Sequence, residues 1–339
     1  MDIGKLKTQL NNNEIKNVYL FYGPEQYLKK YYLDLLEKTV LDKAINPMDK
    51  LFLEGASDIN SIINSCETFP LISKRKLVIV RNSGLFKTKK KTNIDDIKNS
   101  NKKIQEYINN LPDHVCLVFV EDSIDKRLRI VETIKNNGLI VEFKYQKPLD
   151  LAKWAIKVFN SLDKKISFKD ASLLVEYCEE GMNEVYNEIK KIASYLGERD
   201  EVNSLDIEKV CTKSVKSRVF DVADAVSIND TDKARKLLND MEALREPVPK
   251  IFVMLTNHLR RVLQAKQFKN KGVNSKDAAL KMGIPPYIYQ KLSGQAKRFS
   301  SDKLKNTIYE SAEYDYLIKT GNIKDKIALE MVISRLSNK

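Results

Sequence analysis

Residues 69–80 read Phe69-Pro70-Leu71-Ile72-Ser73-Lys74-Arg75-Lys76-Leu77-Val78-Ile79-Val80. The last four are aliphatic and three of them are β-branched, which makes a run too short for a helix and suited to a buried strand. What precedes the strand is unusual. Leu71 and Ile72 are large and apolar, follow a proline that ends a helical pattern, and are followed by three cations in a row. Two readings of the pair stand side by side. In one, they anchor a helix-to-strand connection inside the core. In the other, they stand on the rim of an α/β domain as an apolar plug for a partner's pocket. The stretch alone leaves both open.

Working outward, residues 17–22 (Asn-Val-Tyr-Leu-Phe-Tyr) predict a strand ending at Gly23, and Tyr27 to Val40 an amphipathic helix. Leu51-Phe52-Leu53 predicts a short second strand and Ile59 to Cys66 a helix. Val115–Val120 and Leu139–Phe143 add two strands to Leu77–Val80, with helical patterns near 94–110 and 126–136. Apolar strands alternating with helices imply a mostly parallel sheet covered on both faces.

In a nucleotide-binding version of that fold the first strand-to-helix turn carries the phosphate loop GxxxxGK[ST]. Here the turn reads Gly23-Pro24-Glu25-Gln26-Tyr27-Leu28-Lys29-Lys30. Lys29 takes the lysine position, but Leu28 replaces the second glycine and Lys30 the hydroxyl that would hold Mg²⁺. Glu25 would bring negative charge toward the phosphates. The third strand ends in Arg81-Asn82 where acidic metal ligands belong, and Glu121-Asp122 after the fourth has no phosphate loop to serve. The frame of an ATPase is present without its chemistry.

From Pro148 the pattern turns helical. Leu151, Trp154, Ala155 and Val158 recur at helical spacing, and Asp170–Glu179 and Glu184–Leu196 predict two more helices split by Gly181. After Cys211-Thr212-Lys213, helices are predicted near 218–228, 231–244, 248–269, 275–281, 285–293, 301–319 and 324–337. Three domains are expected: an α/β domain over 1–146, a small helical domain over 147–212 and a helical domain over 213–339.

The chain has 339 residues, 42% of them hydrophobic and 31% charged, the composition of an ordinary soluble protein. No window approaches the length of a membrane span and the N-terminus lacks a secretory pattern. Cys66, Cys116, Cys178 and Cys211 are far apart, and His114 and His258 add no ligand spacing. Neither zinc nor a disulfide framework is expected, and a reducing cytoplasm fits. The net charge of +13 is unevenly placed. Residues 74–103 hold eleven lysines and arginines against Asp95 and Asp96. Lys250, Arg260, Arg261, Lys266, Lys269, Lys271 and Lys276 form a second block with no acid among them. Such clusters suit a polyanion, and equally a solvated lysine-rich face.

The succession Tyr19-Leu20-Phe21-Tyr22-Gly23-Pro24-Glu25 resembles the opening of the delta-subunit family of bacterial DNA polymerase III. So do Phe69–Val80, the helical Asn187-Glu188-Ile189-Lys190-Lys191-Ile192 and the closing Asp315-Tyr316-Leu317-Ile318-Lys319-Thr320-Gly321. The likeness runs over nearly the whole chain in the same order. It implies an AAA+-like module with a degenerate phosphate loop, a helical lid and a C-terminal helical collar. The function implied is that of a cytoplasmic clamp-loader subunit of the polymerase holoenzyme, with no cofactor and no catalytic site of its own. Its implied partners are the sliding clamp (beta subunit), the loader ATPase (tau/gamma), the delta-prime subunit and primed DNA. Members of the family bind the ring-shaped clamp and open one of its interfaces without hydrolysing ATP.

In that family an adjacent apolar pair before the third strand plugs the clamp's pocket, and here the pair aligns with Leu71-Ile72. The second member is often aromatic, and Ile72 departs from this. Phe69 and Pro70 would hold the shape of the tip, Lys74 and Arg75 would steer it toward an acidic clamp surface, and Lys319-Thr320-Gly321 would lie near the template strand. Three rivals differ in class. An active ATPase conflicts with the broken phosphate loop. A serine acyltransferase, suggested by Ser73-Lys74-Arg75-Lys76 and Lys319-Thr320-Gly321, lacks the element required between them. A stand-alone basic nucleic-acid-binding protein on the same scaffold is the alternative.

Overall fold

The computed structural model describes residues 3–41, 47–55, 58–87 and 94–337. The chain divides into two compact units, Met1–Tyr145 and Gln146–Lys339.

The first unit runs α1 (Ile3–Asn11), β1 (Val18–Tyr22), α2 (Gln26–Val40), a 3-10 turn (Pro47–Asp49), β2 (Lys50–Glu54), α3 (Ile59–Glu67) and β3 (Lys76–Arg81). It continues with α4 (Ile94–Asn109), β4 (Val115–Glu121), α5 (Arg129–Asn137) and β5 (Leu139–Glu142). The sheet order is β2-β3-β4-β1-β5, and every neighbouring pair is parallel. Alternate residues of each strand enter opposite cores, because successive side chains point to opposite faces. Val18, Leu20, Val78, Val80, Leu117 and Phe119 pack with Ile62, Ile104, Ile108 and Ile134 of α3, α4 and α5. Tyr19, Phe21, Leu77, Ile79, Cys116 and Val118 pack with Leu6, Leu10, Leu33 and Leu36 of α1 and α2. Burial on both faces is why these strands are unbroken apolar runs. β2 is an edge strand, and its Phe52 is partly exposed.

Two glycines are required by close backbone approach. A Cβ on Gly23, whose φ is +122°, would lie 2.2 Å from the Phe143 carbonyl oxygen, and one on Gly138 2.0 Å from that of Val18. The first of these clamps the turn after β1 against the chain leaving β5.

The second unit runs α6 (Pro148–Asn160), β6 (Lys165–Ile166), α7 (Phe168–Tyr177), α8 (Met182–Leu196), β7 (Glu201–Val202) and α9 (Ser204–Val210). Seven helices follow: α10 (Val215–Ser227), α11 (Thr231–Ala243), α12 (Val248–Asn270), α13 (Ser275–Met282), α14 (Pro286–Arg298), α15 (Ser301–Lys319) and α16 (Asp325–Ser337). β6 and β7 pair in parallel. β6, β7, α1 and α9 go beyond the helices and strands expected from the sequence, because two-residue strands carry no periodicity and the two helices are short. α7 is capped by Ser167, whose hydroxyl accepts the Asp170 N–H at 3.0 Å. α14 continues past Gly294 to Arg298, beyond its expected end at 293, because Gln295 and Ala296 are buried and tertiary packing outweighs glycine's poor propensity. Val219, Val222, Leu255, Leu259, Leu292, Leu304 and Val332 belong to one core shared by α10, α12, α14, α15 and α16. Inside it, buried His258 shares a 2.7 Å hydrogen bond with Gln295, and desolvation pushes its pKa down to about 4.

Candidate functional site

α3 ends at Glu67, Thr68 turns extended, and residues 69–75 form the connection to β3. Leu71 and Ile72 are 70% and 69% exposed, and Phe69 is 75% exposed. Exposure of that size removes the core-anchor reading of the pair. They project from a loop, rather than from the end of the helix itself. The loop is nevertheless held in one conformation from three directions.

The first is Asp49, at the end of the 3-10 turn and fully buried. Its Oδ1 accepts the Leu71 N–H at 2.5 Å, and its Oδ2 accepts those of Ile72 and Ser73 at 3.0 and 2.6 Å. These bonds, that of Ser73 foremost, hold the carboxyl at about 2, below its usual range. The second is Arg75. Its guanidinium donates to the Ile15 carbonyl at 3.0 Å, to Asn17 Oδ1 at 2.5 Å and to the Val115 carbonyl at 2.6 Å. The third is the neck of the loop. There the buried Lys76 ammonium donates to the Thr68 hydroxyl, and the Phe69 ring stacks on His114 at 4.4 Å.

The groups involved share one location. Asp49 precedes β2, Asn17 precedes β1, His114 precedes β4 and Val115 begins it. In a parallel sheet all these points lie on the edge where strands start, so the tip rises from that edge. The sequence reading assigned Arg75, with Lys74, to steering a partner. The structure turns Arg75 inward as an anchor and leaves Lys74 as the exposed cation. Pro70 is half-buried. Asp49 escaped sequence reasoning because it lies 22 to 24 residues from the amides it binds and belongs to no motif.

The opposite edge of the sheet carries the altered phosphate loop. Lys29 is 3% exposed, and its ammonium donates to the Glu121 carbonyl and to Asp122 Oδ1, both at 3.1 Å. Gln26 donates to the same Asp122 oxygen at 2.8 Å; these bonds, with Gln26 first, hold the Asp122 carboxyl below its usual range. Glu121 is buried, with Oε1 accepting the Ser83 N–H and hydroxyl at 2.8 and 2.7 Å, and burial raises its pKa. Glu25 is buried and caps α2 through the Tyr27 N–H. Lys29 and Asp122 are thus bonded to each other, and the Glu121 carboxylate is held by Ser83.

Lys319, Thr320 and Gly321 terminate α15. The Lys319 ammonium pairs with Asp315 at 2.5 Å, the Thr320 hydroxyl donates to the Tyr316 carbonyl at 3.0 Å, and Gly321 has φ +76°. Of the first basic block, Lys89, Lys90 and Lys91 lie outside the described residues, Lys102 pairs with Glu106 and Arg81 lies 5.0 Å over the Phe52 ring. In the second block Lys266 donates to the Ala296 carbonyl, Lys250 pairs with Glu179 and Glu246, and Arg260 donates to Asn257 Oδ1, whereas Arg261, Lys269, Lys271 and Lys276 are exposed. All four cysteines are free and buried, and desolvation pushes Cys66, Cys116 and Cys211 up to about 12. Among the described residues no group of three or more His, Cys, Asp or Glu side chains could hold a metal ion, and no helix is long and apolar enough to cross a membrane.

Comparison with known proteins meets this geometry. The model of the DNA polymerase III delta subunit matches residues 19–144, and that of its C-terminal domain matches residues 216–336. The chain belongs to the DNA polymerase III delta-subunit family. It is 24% identical over 330 residues to the DNA polymerase III subunit delta of Bacillus subtilis, covering 96% of this chain and 94% of that one. It is 21% identical over 320 residues to the probable DNA polymerase III subunit delta of Aquifex aeolicus, covering 92% and 89%. The solved structure of the Bacillus subtilis DNA clamp loader delta protein superposes over the full length of both chains with a TM-score of 0.52 at 22% identity, a likeness of fold.

In this delta-family chain the Asp49 carboxyl has a lower pKa when folded than its free value of 3.8. Its stabilising contribution is therefore complete above about pH 4 and is lost as pH falls through about 2. The amide resonances of Leu71, Ile72 and Ser73 are expected to titrate with a midpoint near that lower value. A midpoint near the free value would mean that the carboxylate does not receive the three bonds.

Proposed function

We propose that this chain binds the sliding clamp through Leu71 and Ile72 and opens one of its interfaces, so that the ring can be placed on primed DNA. It works in the cytoplasm with the loader ATPase (tau/gamma) and delta-prime subunits. Residues 147–212 serve as the lid and 213–339 as the collar that joins those partners. The observation carrying this reading is the exposure of two adjacent aliphatics, 70% and 69%, on a loop whose backbone is bonded in place. Exposed apolar groups that folding holds rigid are suited to a preformed pocket on a partner. Burying each contributes about 1.5–3 kcal/mol, so the pair supplies roughly 3–6 kcal/mol. Exposed Lys74 steers the encounter, and ring opening follows if the bound tip fits the open interface better than the closed one. Changing Leu71 and Ile72 together to Ala should lower clamp affinity by about a hundredfold or more, with thermal stability and assembly with the loader ATPase retained. Clamp affinity that holds while the melting point collapses would defeat the reading. Tight DNA binding with no clamp binding would favour a stand-alone nucleic-acid-binding protein.

The chain acts without hydrolysing ATP. The Lys29 contacts to Glu121 and Asp122 support this, since binding of a triphosphate would have to break them at a loop lacking its second glycine and its hydroxyl. Titration calorimetry with Mg-ATP should give no binding heat; micromolar binding abolished by Lys29→Ala would overturn the statement.

Within the loader, Lys319, Thr320 and Gly321 lie near the template strand. The turn closes the end of α15, and the Lys319 side chain is exposed despite its pairing with Asp315. Replacing Lys319 and Thr320 together with Ala should weaken primed-DNA binding by the assembled loader and flatten its salt dependence, leaving clamp binding unchanged. If DNA binding is also unchanged, the turn is structural.

A further inference from the structure

We propose that Asp49 is a positioning residue for clamp capture, an assignment that rests on the clamp-binding reading above: its carboxylate sets the backbone of Leu71, Ile72 and Ser73 so that both aliphatics project together.

A tip of three consecutive residues whose amides faced only water would sample many conformations, and ordering it on binding would subtract from what the two side chains gain. In the structure one carboxylate receives all three amides, one on Oδ1 and two on Oδ2. That carboxylate is fully buried, whereas the side chains it organises are exposed. Among the described residues no ion pair joins it to a lysine or arginine, and its charge is compensated chiefly by the three backbone amides of the tip. Buried ions need such compensation, which couples the two segments: the loop before β2 keeps its anion only while the tip keeps its shape. Arg75 bonds the base of the same loop to the starts of β1 and β4, so freedom at 71–73 is what Asp49 removes.

The test uses the full chain carrying Asp49→Asn, which preserves size but replaces one acceptor oxygen with a donor. Clamp affinity should fall about tenfold or more, the cost of ordering a few residues on binding. Amide protection against hydrogen exchange should disappear at Leu71, Ile72 and Ser73 and persist at Leu77–Val80 of β3. In the Leu71→Ala, Ile72→Ala background, Asp49→Asn should produce no further loss of clamp affinity, a coupling that a general loss of stability would not show. Retained wild-type affinity in Asp49→Asn, with the three amides unprotected, would overturn the assignment. A tip double variant that binds the clamp like wild type would overturn the clamp-binding reading and the role of Asp49 with it. Should Asp49→Asn not fold, exchange in the free wild-type chain decides: protected amides at 71–73 support the positioning role, and unprotected ones overturn it.

Discussion

Parallel pairing of five strands is the constraint on which the first unit depends. It sends every strand start to one edge and every strand end to the other, and it requires a helical crossover after each strand. With helices on both faces, the two edges are where connecting backbone can carry function. The end edge holds the turn after β1 and the acids at the end of β4, where a nucleotide would sit in a related fold. The start edge holds the 69–75 loop, gathered by Asp49 before β2, Arg75 before β3 and the residues that open β1 and β4.

The two edges differ in how their polar groups are satisfied. At the end edge, Lys29 and Gln26 bond to Asp122, and Ser83 to Glu121, so the cation and one acid are turned on each other. At the start edge, polar groups are turned inward to hold a loop whose apolar side chains face out. Inverting the usual arrangement at a surface leaves Leu71 and Ile72 in water, at a cost in hydration free energy.

Charge is less concentrated than composition suggests. Cations counted along the sequence merge into blocks, but several are bonded inward or paired: Arg75, Lys76, Lys250, Lys266 and Lys319 each have a protein acceptor. Arg261, Lys269 and Lys271 on and just after α12, and Lys276 on α13, are exposed and suited to meet a polyanion.

By itself the sequence determined the strands, since double-sided burial writes itself as unbroken apolar runs, and most of the helices, since one-sided burial writes itself at a period of 3.6. It also determined the loss of the phosphate loop, because each role there requires a residue type that Leu28 and Lys30 do not supply. It could not decide whether Leu71 and Ile72 were core or surface, because apolar identity is the same in both places and exposure is a property of the neighbours. Nor could it find Asp49, whose three bonds join segments separated by β2 and α3. The inward turn of Arg75 was equally hidden, as it depends on carbonyls brought close only when β1, β3 and β4 align. Hydrogen bonds between distant segments leave no periodicity in the chain, so only the tertiary structure revealed what holds the tip.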